Sequence, residues 1–134
     1  MEQLGYLLWL ADQAIGGLLY IWPVSVIFLA FLVASLVYTF CTGAWSSSKE
    51  VVLVLVPLLG PIAILTSGVV LKERGVSYSL VPAALFAVNG VLCLYSIWRS
   101  PTVRVVTVAA SLFVIWYSFW CWFVAGMSIG GDWL

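Results

Sequence analysis

Asp12 bounds the longest uncharged stretch of this chain, yet it also falls in the middle of an otherwise largely apolar region, residues 4–22. An acid buried in a membrane-spanning segment is the usual raw material of an ion or proton site. An acid at the edge of such a segment simply faces water. Both readings of Asp12 stay open, because residues 4–22 can be read with or without a membrane crossing.

A second candidate is a set of neutral groups. Pro57 and Pro61 lack the N–H groups that would bond the carbonyls of Leu53 and Pro57. In lipid those carbonyls need another donor. Ser35, Gly60, Pro61, Asn89 and Val114 all fall roughly 15 Å from one end of their helices, counting about 1.5 Å per residue. The expectation is a kinked helix whose freed carbonyls are met by Asn89, Ser35 or water. Chemically, that arrangement is either polar glue or a site for a small neutral solute.

Other chemistry is largely excluded. The chain has no histidine, which removes the commonest general base and haem ligand. Its three cysteines, Cys41, Cys93 and Cys121, lack the spacing of a zinc site or a disulfide framework. Serines are present, but no base stands in sequence to activate one. No enzyme activity, metal or cofactor is expected. The formal net charge is zero and no basic run occurs, so nucleic acid is not an expected partner.

The elements that must position these groups are set by charge spacing. Uncharged stretches of 36, 21, 24 and 27 residues separate Asp12 from Lys49, Glu50 from Lys72, Arg74 from Arg99 and Arg104 from Asp132. A helix crossing about 30 Å of hydrocarbon needs roughly 20 apolar residues. The chain is 65% hydrophobic and 7% charged, far below the roughly 25% charged residues of soluble domains. The spacing predicts an all-α polytopic membrane protein, a single domain built as an up-down bundle of four transmembrane helices over about residues 18–41, 51–71, 78–98 and 105–128. Short loops force neighbours to run antiparallel.

The N-terminal region reads best as a short interfacial helix over about residues 3–14, because Asp12, Gln13, Gly16 and Gly17 weaken it as a span. Trp9, Tyr20 and Trp22 suit a headgroup zone. Glu2 and Asp12 in place of early positive charge argue against a cleaved signal. Lys49, Arg99 and Arg104 share one side, against Lys72 and Arg74 on the other. Positive-inside reasoning then places both termini on the non-cytoplasmic side, with an inner, cytoplasmic membrane as the expected location.

The last span carries the clearest packing signal. Thr107, Ser111, Val114, Ser118, Cys121, Ala125 and Ser128 recur with a period of 3.5, and each is small or β-branched. Such a stripe lets a neighbouring helix approach closely. These observations lead to the expectation of a non-catalytic assembly or accessory subunit, packed through helix contacts with itself or another membrane protein. The alternative is a small homo-oligomeric channel or carrier for a neutral or hydrophobic solute. In size and span number the chain resembles small multidrug transporters, but no span carries the intramembrane glutamate such carriers use.

Overall fold

The structure is a computed structural model that describes residues 2–43, 48–72 and 74–131. Residues 44–47 of the first predicted loop, Glu73 of the second and the tail from Asp132 lie outside the described residues. The described chain is helical throughout, with α1 over Glu2–Tyr20, α2 over Trp22–Cys41, α3 over Ser48–Leu55, α4 over Leu59–Val70, α5 over Leu80–Arg99 and α6 over Arg104–Gly130. A 3₁₀ turn, Val56–Leu58, joins α3 to α4, and another, Val76–Ser79, leads into α5. Four stretches are long and apolar enough to cross a membrane: Trp22–Cys41, Val52–Val70, Ser77–Arg99 and Arg104–Gly130.

α6 runs through the middle and packs against every other helix. Val54 of α3 packs with Val103 and Val106 at the start of α6, while Gly68 of α4 lies against Ala125 near its end. The α3–α4 segment is therefore parallel to α6. Asn89 of α5 reaches Ser118, and Ser79 just before α5 shares a cleft with Gly130, so α5 is antiparallel to α6. Tyr6 meets Ser128 and Ser25 meets Trp116, so α1 and α2 also run against α6. The order is up, down, up, down.

The N-terminus departs from expectation. Instead of an interfacial helix over 3–14 and a continuous span from residue 18, one helix runs to Tyr20, breaks at Ile21 and restarts at Trp22. Ile21 leaves the helical region, with φ −109° and ψ 50°. Pro23 explains the break. It has no N–H, and its ring conflicts with the carbonyl of Leu19. Placed in the first turn of α2, the missing N–H costs nothing, since that turn has no internal acceptor for it. α1 lies along α4 and α6, not across their ends: Leu10 and Ala14 are fully buried with Ile64, Leu65, Cys121 and Ala125. Gly17 sits under the Trp120 ring, where any side chain would overlap it.

Small residues let α4 and α6 approach closely. A Cβ added to Gly68 would stand 2.9 Å from the Ala125 Cβ and 3.0 Å from its Cα. Dispersion acts over such short distances, and it is the main cohesive force available where the surroundings are as apolar as the core. Gly131 ends α6 in the left-handed region, with φ 74°, and its N–H caps the Met127 carbonyl. Gly75, at φ 102°, turns the second loop so that its N–H bonds Ile129 at 3.1 Å.

Candidate functional site

Three polar contacts converge on α6, each joining it to a different helix. At its centre Asn89 Nδ2 donates to Ser118 Oγ at 2.9 Å. Asn89 is 1% exposed and Ser118 fully buried. The other face of the amide lies on Gly60, where a side chain would overlap it. Asn89 Oδ1 has no hydrogen-bond partner among the described residues.

At the far end of α6, Ser128 donates to the Gly68 carbonyl at 2.9 Å. Its single proton is thereby committed, so the Tyr6 hydroxyl must donate to Ser128 Oγ, also at 2.9 Å. This relay ties α1, α6 and α4 together. The Lys72 ammonium lies 4.2 Å from the centre of the Tyr6 ring, a cation–π contact at the same end.

The third contact closes the break between α1 and α2. Ser25 donates to the Leu18 carbonyl at 2.8 Å, and Trp116 Nε1 donates to Ser25 Oγ at 2.9 Å. A hydroxyl thus meets a carbonyl at the end of α1 and in turn accepts the indole proton of α6. Ser25, Tyr6 and Trp116 do not stand out in the sequence as partners. A serine two residues after Pro23 was the available signal, since hydroxyls near a proline often re-satisfy freed carbonyls.

The proline kink is resolved differently from the sequence expectation. The chain tightens to a 3₁₀ turn at Val56–Leu58, and the Leu59 N–H reaches the carbonyls of both Val56 and Pro57. Local winding therefore meets the Pro57 carbonyl that Pro61 leaves free. Asn89 turns to Ser118 instead, and Ser35 donates to Leu32 within its own helix at 2.8 Å. Of the predicted cluster, Gly60 and Asn89 touch, Pro57 and Pro61 shape the backbone beneath them, and Ser35 faces elsewhere. A cleft of about 170 Å³ between α4 and α5 is lined by Gly60, Ala63, Leu85 and Asn89.

The seven stripe residues of α6, Thr107, Ser111, Val114, Ser118, Cys121, Ala125 and Ser128, are all buried within this chain. The stripe serves the chain's own helices, so it is not a surface open to another protein. Asp12 sits on the outward face of α1, exposed. No group of three or more acidic, histidine or cysteine side chains that could hold a metal occurs among the described residues. A buried set of hydroxyls, one amide and an indole can position helices and bind hydrogen-bonding groups, but it contains no paired acid and base. In comparison with known proteins, the chain matches no protein family, no curated protein and no solved structure.

Proposed function

We propose that the chain is an integral membrane subunit without catalytic activity, working through helix contacts with another membrane protein or with itself. The observation that carries this reading is the inverted distribution of side chains. Ser35, Thr39, Asn89, Ser96, Ser118 and Ser128 are at most 3% exposed, while Leu19, Ile27, Phe40, Leu80, Leu94 and Trp98 are 65% exposed or more. In water so large an apolar surface drives aggregation. In lipid it costs nothing, and inward polar groups add about 1 kcal/mol per contact. The buried polar set of hydroxyls, one amide and an indole, with no paired acid and base among the described residues, supports a structural role.

The loops carrying Lys49, Arg99 and Arg104 then face the cytoplasm, with Lys72 and Arg74 on the opposite side of an inner membrane. Affinity purification of the tagged full chain at native expression level, followed by mass measurement of the assembly, tests the proposal. A defined stoichiometric complex is expected. A monomer in mild detergent that recovers no partner would overturn it.

A channel or carrier for a neutral or hydrophobic solute is the second reading, favoured by the cleft beside Asn89 and its unpaired oxygen. Because α6 fills the axis of the bundle, a path would have to run between copies or along the α4–α5 cleft. Solute flux into liposomes that Asn89→Leu abolishes would promote this reading over the first.

A further inference from the structure

The outward face of α1 carries Gly5, Asp12 and Gly16, spaced seven and four residues apart and so aligned along one side of the helix. All three are exposed, and a Cβ at either glycine would meet nothing within 4 Å. Among the described residues, no other helix of this chain covers that face. Asp12 makes no hydrogen bond or ion pair with any described residue.

Its depth follows from its neighbours. Leu10 and Ala14, on either side of it, pack with Ile64 and Leu65 of α4. Leu10 reaches the Gly68 position, four residues before Lys72, and Asp12 is two residues further along the antiparallel α1, so it lies about 9 Å inward of the level of Lys72. In a membrane of ordinary thickness that is inside the hydrocarbon. Aspartate is too short to reach water from there, unlike the long basic side chains that snorkel. An acid held at this level keeps its charge only beside a counter-charge or strong donors, and otherwise takes up a proton.

A second copy does not supply one. Of the chain's five cations, Arg99 and Arg104 stand at the very ends of their apolar spans and Lys49, Lys72 and Arg74 fall outside the spans, so none lies at the level of Asp12. Two copies meeting through this face would bring like charges together. We propose that this face docks a transmembrane helix of a different protein, one presenting a lysine or arginine about 9 Å inward of the level of Lys72. Gly5 and Gly16 let its backbone come close, and Asp12 meets its charge. The inference rests on the membrane-subunit reading and gives it a partner of defined chemistry.

The test uses the full chain in phosphatidylcholine vesicles with two synthetic leucine-alanine transmembrane peptides. One carries a single lysine six residues from its end; the other carries leucine there. Association is read by energy transfer between labelled chain and labelled peptide. The lysine peptide should associate roughly tenfold more tightly, and Asp12→Asn should remove that preference. Exchanging the charges, with Asp12→Lys against an aspartate peptide, should restore it. Equal association of both peptides with the native chain, or an unchanged preference in Asp12→Asn, overturns the docking site while leaving membrane insertion standing. Transfer between two labelled copies that Asp12→Asn abolishes would assign the face to self-assembly and overturn it as well. Failure of the native chain to float with the vesicles would remove the membrane reading and this inference together.

Discussion

The Asn89 amide of α5 lies against the backbone of Gly60 so closely that no Cβ can stand between them. The contact falls just past the 3₁₀ turn at Val56–Leu58, where α4 begins. Gly60→Ala should therefore destabilise the fold by roughly 1–3 kcal/mol, the usual cost of overpacking a core. Unfolding in mixed detergent micelles measures it. Combining Gly60→Ala with Asn89→Ala should recover part of the loss, because the two residues are in contact and their effects do not add.

Asn89→Leu removes the bond to Ser118 together with a buried carbonyl oxygen that has no partner. The two effects oppose each other, so the expected loss is small, about 1 kcal/mol or less. Assembly with a partner and vesicle permeability, measured per folded molecule, should be unchanged. A selective loss of either would move Asn89 from packing to function.

Ser25→Ala leaves both the Leu18 carbonyl and the Trp116 indole N–H without the hydroxyl they share. Each unpaired group costs about 1–3 kcal/mol, so this change should destabilise more than Asn89→Leu. Trp116→Phe should cost less, since Ser25 keeps its bond to Leu18. The double variant should be no worse than Ser25→Ala alone by more than a few tenths of a kcal/mol, because the indole bond is already gone. Thermal unfolding in detergent distinguishes these orders.

The cysteines offer a probe without mutation. Cys41 is exposed at the end of α2, while Cys93 and Cys121 are buried. A maleimide should modify one thiol in the folded chain in mild detergent and three after denaturation, as intact-mass spectrometry reads directly. Rapid modification of Cys121 in the folded state would contradict the packing of α1 over α6.

Much of this architecture is legible from charge placement alone. Lys72, Arg74, Arg99 and Arg104 mark the ends of helices because charge is driven out of long apolar runs. The face of α6 that packs is also legible, since a 3.5-residue period puts Ser111, Ser118 and Ala125 in one line. Periodicity names the face but not what covers it, and the cover proves to be the chain's own α1, α4 and α5. α1 was the hard element. Asp12, Gln13 and Gly16 make it look like a helix at a water boundary, yet these residues share the outward side while Leu10 and Ala14 enter the core. The decisive contacts, Tyr6 with Ser128 and Gly17 with Trp120, join residues more than a hundred positions apart and leave no local trace. The proline pair is visible, but the Pro57 carbonyl that Pro61 frees is met by local 3₁₀ winding, which sequence spacing does not reveal.

The central claim is that the bundle turns its polar side chains inward because lipid surrounds it. Alkaline carbonate washing of membranes from cells expressing the full chain tests this most directly. The account predicts that the chain stays with the membrane pellet and is released only by detergent. Recovery in the wash supernatant as a free, folded monomer would contradict it.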